Sequence, residues 1–202
     1  MRPRNAPRAR LDVDERRRQL VELGSKLFSA RTYDEVSIDE LARAAGISKG
    51  LLYHYFPTKR DFYVATVRDA AKDLLDRTFL SSDRDPIERL QGGLDAFIEY
   101  VSDRGPAYTS LLRSGIGADL EVARIVDETR EAFCTRLIEG LPVEPNPLLR
   151  VALRGWVGFV EAATIDWLAS HPPVKPEMLR DILIEVLFGA VQIAAAAAKQ
   201  PL

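Results

Sequence analysis

Residues 46–63 read GISKGLLYHYFPTKRDFY, a run that places hydroxyl, aromatic and cationic side chains on one short segment. Ser48, Lys49, Tyr53, Tyr55 and Lys59 are hydrogen-bond donors, two of them cations, and no nucleophile with an adjacent base stands among them. Such a set suits recognition of an anion rather than bond-breaking. A helix beginning at Ser48 offers free N–H groups to a phosphate. Lys49, one residue past that cap, reaches guanine acceptors if the helix enters a major groove. Tyr53 and Tyr55 donate hydroxyls to phosphates or pack on sugars. Gly50 costs about 1 kcal/mol against alanine inside a helix, which is explained if the backbone must come close to a base edge. Lys59 and Ser37, each at the start of another helix, can reach phosphates, and His54 lies between the tyrosines. Each residue also has a plainer reading: Tyr53 as core packing, His54 as ordinary surface, Lys59 as half of a solvated pair with Arg60.

The elements that must hold these groups are helices. No sustained alternation of period two occurs, whereas helical periodicity and caps recur. A first helix is expected over about residues 14–31, with Leu20, Leu23, Leu27 and Phe28 on one face. Ser37 caps a second, with Glu40 completing a capping box. It stops at Gly46, a left-handed cap residue. Ser48 caps the third, Pro57 ends it, and Thr58 with Asp61 starts a fourth that runs to about residue 79. The second and third helices, hinged at Ala45-Gly46-Ile47, have helix-turn-helix geometry. Leu41, Ile47 and Leu52 point inward, and Ala42 permits close approach.

The run from Ser37 to Tyr63, SIDELARAAGISKGLLYHYFPTKRDFY, resembles the DNA-binding domain of the tetracycline-repressor (TetR) family, most closely at LYHYFPTK, and the strong match covers about residues 16–67. The resemblance implies a homodimeric transcriptional regulator, usually a repressor, whose C-terminal domain binds a small molecule that alters DNA affinity. By position it makes Lys49 and Gly50 base-reading, and Ser37, Tyr53, Tyr55 and Lys59 phosphate-contacting. His54 falls where contacts vary. Asp39 departs from the pattern, standing where some relatives carry a basic base-reading residue. It either accepts from a cytosine amino group or favours its own helix N-terminus, and the second is preferred.

Charge and composition agree with this division. The 202 residues carry a net charge of −2, yet residues 1–60 hold 13 Lys+Arg against 8 Asp+Glu, and the remainder 15 against 22. A basic first part on an acidic body points to an anionic partner for the first part alone. Residues 1–12 read as a flexible basic arm, whose Arg2, Arg4, Arg8 and Arg10 either solubilise or enter a minor groove. The helix-turn-helix domain is assigned to 13–60, with the fourth helix from 58 as connector, and an effector-binding and dimerisation domain to 61–202. The class is all-α, about nine helices. The lone Cys134 allows no intrachain disulfide and reads as a buried structural thiol rather than a sensor. No secretory leader is expected, and the apolar stretch 182–198 is broken by Glu185 and Gln192, so no membrane span is expected and the location is read as cytoplasmic.

In the body, helices are expected over about 85–103, 106–113, 119–140, 148–170 and 175–199. No phosphate loop, metal-spaced cluster or G-x-S-x-G occurs, so no cofactor, metal or catalytic residue is assigned. The pocket candidates are Phe97, Tyr100, Tyr108, Leu111, Leu112, Ile125, Thr129, Phe133, Trp156, Phe159 and Val160, an aromatic set that favours a hydrophobic or planar effector. The last two helices are apolar nearly all round, beyond what one chain's core requires. Gly155, Ala162, Leu183, Leu187, Ala190, Val191 and Ala194 are therefore assigned to an interface with a second copy. Arg154 and Glu161 are expected to pair across that dimer, or Arg154 to meet an acidic ligand. The competing readings are a DNA-binding protein without an effector, and an enzyme using the C-terminal cavity.

Overall fold

Ser37, Ser48, Thr58, Asp85, Asp119 and Asn146 each stand one residue before a helix. Each uses a side-chain oxygen to accept from a backbone N–H two or three residues on, the group that helix geometry leaves without a partner. The computed structural model describes residues 13–79, 85–115, 119–171 and 173–197. Among them the chain is helical with no strand: α1 (Val13–Ala30), α2 (Ile38–Ala44), α3 (Lys49–Tyr55), α4 (Lys59–Thr78), α5 (Pro86–Asp103), α6 (Gly105–Ser110), a π-helical turn (Leu111–Gly115), α7 (Leu120–Gly140), α8 (Pro147–Leu168) and α9 (Pro176–Ala197). None is long and apolar enough to cross a membrane. The basic arm, 1–12, lies outside the described residues.

The sequence signals for caps are met residue by residue. Thr58 and Asp61 form the reciprocal box of α4, and Gly46, at φ 63°, makes the left-handed turn between α2 and α3. Glu40 keeps a backbone contact from Ser37, but its main partner lies elsewhere. Its carboxylate is engaged by Arg31 in a two-pronged pair at 2.7 and 3.2 Å, tying α2 to the end of α1. The expected helix at 106–113 becomes α6, which continues into the π-helical turn.

Three apolar clusters follow the chain. The first, the head, packs Leu20, Val21 and Phe28 of α1 against Leu41, Ala42, Leu52, Phe56 and Phe62. Gly24 is what lets α1 and α4 meet: a Cβ there would lie 2.5 Å from the Phe62 ring and 2.6 Å from Thr66. The largest cluster, the body, draws on α4, α5, α7, α8 and α9, with Leu149, Leu153, Leu183 and Leu187 wholly enclosed and Cys134 buried beside them. Burial in this apolar surround pushes the Cys134 thiol up, so its thiolate is suppressed. The smallest cluster, Val64 and Val67 with Val122 and Ile125, joins α4 to α7. Thus α4 contributes Phe62 to the head, Val64 and Val67 to the joint, and Leu74 to the body.

Candidate nucleic-acid interface and effector cavity

Helix α3 is short enough that one face serves the fold and the other is left over. Leu52 is its wholly buried residue, and Tyr55 packs partly against the head core. Ser48, Lys49, Gly50, Tyr53 and His54 are exposed. Tyr53 is 40% accessible, so the core-packing reading of that ring does not hold. A Cβ added to Gly50 would meet nothing within 4 Å, so no packing inside the chain accounts for glycine there. Leu51 is also exposed on this face, a residue whose apolar type hid it from sequence reasoning.

Two contacts on this surface were not legible in advance. The Lys49 ammonium lies 3.0 Å from the Asp39 carboxylate, which holds its pKa above the usual lysine range. Asp39 therefore does more than favour its own helix. It also pairs, at the surface, with the Lys49 ammonium across the α2–α3 turn. Lys59 lies 4.1 Å over the Tyr33 ring, and Tyr33 in turn meets Tyr63 at 5.0 Å, with Phe28 5.1 Å beyond. Ser37 is exposed, its hydroxyl accepting from Glu40 N.

A cavity of about 610 Å³ runs along the inner side of α4. Ten of the eleven pocket candidates line it: Phe97, Tyr100, Tyr108, Leu111, Leu112, Ile125, Thr129, Phe133, Trp156 and Val160. Phe159 does not, since it projects from the outer surface of α8. Sequence reasoning missed the upper wall, where Phe28, Tyr33 and Tyr63 belong to the head and yet line the same cavity. The Tyr100 hydroxyl donates to Ala70 O at 2.9 Å, and the Arg104 guanidinium lies 4.0 Å from its ring. Burial raises the Tyr100 hydroxyl to about 12 and the Tyr108 hydroxyl further, so both stay protonated donors. Arg130 and Glu161 close a two-pronged ion pair at 2.8 Å in the cavity wall. The expected role of Arg154 and Glu161 is thereby corrected: Glu161 is engaged by Arg130, and Arg154 reaches Asp127 at 2.8 Å within the chain.

The surface assigned to a second copy also changes. Leu183, Leu187, Val191 and Ala194 are buried in the chain's own core against α5 and α8, so they leave no area for a partner, and Ala190 is half-buried. Gly155 and Ala162 are exposed. With Val151, Gly158 and Phe159 they form a stripe on α8, and Ile182, Val186 and Ile193 form another on α9. Side chains at Gly155, Gly158 or Gly189 would meet nothing within 4 Å. Among the described residues no group of three His, Cys, Asp or Glu could hold a metal ion.

At the level of whole chains, the family pattern described as bacterial regulatory proteins, tetR family, matches residues 20–66. The tetracyclin repressor-like C-terminal domain matches 86–190, more than half of the chain. The HTH-type transcriptional activator FasR of Mycolicibacterium smegmatis is 27% identical over 188 residues, 90% of this chain and 85% of that protein. The HTH-type transcriptional repressor DhaR of Mycobacterium sp. strain GP1 is 32% identical over 170 residues, 74% of this chain and 83% of that one. The crystal structure of a tetR-family transcriptional regulator from Streptomyces coelicolor aligns with a TM-score of 0.83 at 33% identity, over 93% of this chain and 85% of that chain. A helix-turn-helix with an uncommitted polar face, a helical body around a cavity, and matches to both halves lead to one statement: the chain belongs to the TetR family of transcriptional regulators and carries that family's DNA-binding domain.

Proposed function

We propose that the protein is a cytoplasmic, homodimeric repressor that binds a palindromic operator through α3 and is released by a small hydrophobic or aromatic effector. The observation that carries this reading is Tyr33, whose ring is at once a wall of the cavity and the bed of Lys59. A molecule in the cavity touches the residue that positions a phosphate-seeking cation. In this reading Lys49 and Gly50 face bases, while Ser37, Ser48, Tyr53, His54, Tyr55 and Lys59 lie along the backbone. FasR and DhaR, to which the chain is similar, are both HTH-type transcriptional regulators, which favours this reading over an enzyme.

Dimerisation belongs to the same proposal. The apolar stripes of α8 and α9, with Ile182 52% and Ile193 71% accessible, fit a four-helix interface in which the outward glycines let backbones approach. Two α3 helices must then sit about 34–36 Å apart to enter successive major grooves. An effector that prefers a differently spaced dimer weakens DNA binding by its differential affinity and no more.

The test uses purified protein and fragments upstream of its own and neighbouring genes in a gel shift. Lys49→Ala and Tyr53→Ala are each expected to weaken sequence-specific binding about tenfold or more while circular dichroism and dimer mass stay unchanged. Undiminished specific binding in both variants overturns the assignment of the reading face.

A further inference from the structure

The shape and charge of the cavity narrow the effector, and this inference rests on the ligand-responsive reading above. Along α4 the lining extends from Tyr63 to Thr78, sixteen residues, or about 22 Å of helix. A volume of about 610 Å³ therefore extends along that length of the helix. Its walls are chiefly apolar, and several hydroxyls in them are already engaged. Thr66, Thr78 and Thr129 donate to the carbonyls of Tyr63, Leu74 and Ile125. The middle of the wall therefore offers few polar partners to a ligand, the compensated Arg130–Glu161 pair beside Tyr108 being the main polar station.

The two ends differ. At the head end, Arg31 is neutralised by Glu40, the hydroxyls of Ser25, Ser29 and Thr32 already donate within the chain, and the rest of the wall is the aromatic group Phe28, Tyr33 and Tyr63. At the far end stand Arg89 in the opening turns of α5 and Arg136 in the last turns of α7. Among the described residues neither has a carboxylate partner, whereas the other cavity arginines, Arg31, Arg104 and Arg130, each do. The Arg89 Nε is buried and meets no hydrogen-bond acceptor. Arg136 gives one N–H to Leu75 O at 2.6 Å and lies 5.0 Å from the Phe79 ring, which leaves the rest of its fork free. The same end holds Asp85, whose carboxylate accepts from Ile87 N. A buried guanidinium nitrogen without an acceptor is costly unless a ligand supplies one.

We propose that the cavity takes a long-chain amphiphile, with its anionic head on Arg89 and Arg136 and its hydrocarbon tail running along α4 toward Tyr33. Tail length then decides function. A short acid occupies the arginine end and leaves the head untouched, whereas a long one reaches the Phe28–Tyr33–Tyr63 group beneath Lys59. Binding and DNA release become separable properties of the ligand.

The experiment uses the full chain, with octanoate, laurate, palmitate and hexadecanol kept below micelle-forming concentrations. A compact aromatic acid, naphthaleneacetate, serves as the contrast. Thermal shift and calorimetry read binding, and a fluorescent DNA fragment reads release. Palmitate is expected to bind at least about tenfold more tightly than hexadecanol, the loss of a charged hydrogen-bonded pair. Arg89→Met with Arg136→Met should bring the two to equal affinity while hexadecanol binding persists, which also reports that the variant is folded. Palmitate should release DNA and octanoate should bind without releasing it. Equal affinity of palmitate and hexadecanol in the unmodified protein, or release by octanoate as complete as by palmitate, overturns the proposal. Release by naphthaleneacetate but by no fatty acid overturns it and leaves the effector reading standing. If palmitate binds as described and no DNA fragment is held, the transcriptional reading falls while the ligand class survives.

Discussion

The head and the body bury their apolar residues by different rules. In the head, α2 and α3 each have one inward side: Leu41, Ala42 and Leu52 go in, while Asp39, Lys49, Tyr53 and His54 stay out. Each side chain has two destinations, and hydrophobicity distinguishes most of them, though Leu51 stays out. In the body, α8 and α9 are apolar on nearly every side, and an apolar residue has three destinations: the core, the cavity wall or the outer stripe. Leu183 and Ile182 are neighbours of almost the same chemistry, yet one is wholly buried and the other half open. Local pattern therefore resolves the exposed polar face of α3 and blurs the wall of the cavity.

The largest test of that contrast sets the two neighbours against each other. Leu183→Ala empties a site with no solvent exposure, and chemical denaturation should show a loss of about 2–5 kcal/mol. Ile182→Glu should leave the fold of the subunit intact by circular dichroism and convert dimer to monomer by sedimentation. Similar loss of fold in both variants would erase the distinction between core and stripe on α9.

That pair also marks what the sequence could reveal. Caps were legible because a capping oxygen and its N–H lie within three residues: Ser37, Ser48, Thr58 and Asp85 all stand where a local rule places them. The polar face of α3 was legible because its exposed donors, Ser48, Lys49, Tyr53 and His54, fall within seven residues. The Arg31–Glu40 and Arg130–Glu161 pairs join residues 9 and 31 apart, and no periodicity encodes such partners. Tyr33 escaped notice because its value lies in touching Lys59 and the cavity together, a relation among three segments. Phe159 on α8 and Leu187 on α9 each lie off the assigned stripe for a simpler reason, since adjacent positions on a helix that is apolar on most sides differ by about 100° of rotation.

The next effect lies where head and body share a helix. Gly24→Ala pushes a methyl into the Phe62 ring at 2.5 Å, and neither α1 nor α4 can withdraw without opening the head core. Urea unfolding should show a loss of about 1–3 kcal/mol, and DNA binding should weaken with it. No change in either would mean that the two helices have slack, and that α4 transmits less motion than its packing implies.

Tyr33→Leu is smaller and sharper. It preserves an apolar wall for the cavity while removing the aromatic face beneath Lys59. DNA affinity should fall about twofold to fivefold, the size of an exposed cation–π contact. Effector binding should stay close to normal while effector-driven release is blunted. Equal loss of ligand and DNA binding would assign Tyr33 to structure alone.

The smallest effect concerns the joint between the two regions. Arg60, at the start of α4, grips Asp119 at 2.7 and 2.8 Å, and Asp119 also caps α7 by accepting from Glu121 N and Val122 N. The Arg60 hydrogen bond is the main cause that holds the Asp119 carboxyl below its usual range, with the two backbone N–H groups adding to it. A folded value below the unfolded one means that the carboxylate form favours the native state. Its contribution is complete above the unfolded aspartate value of about 4 and is lost as pH falls through the lower folded value. Denaturation midpoints measured from pH 7 downward should therefore decline in acid, and Asp119→Asn should decline less steeply because its side chain has no proton to gain. The Arg60 side is largely solvated, so added salt should shrink the difference further. Identical acid profiles for the two proteins would show that the start of α4 and the start of α7 are joined by Val64, Val67, Val122 and Ile125 alone, and that the charge pair rides on a joint already closed.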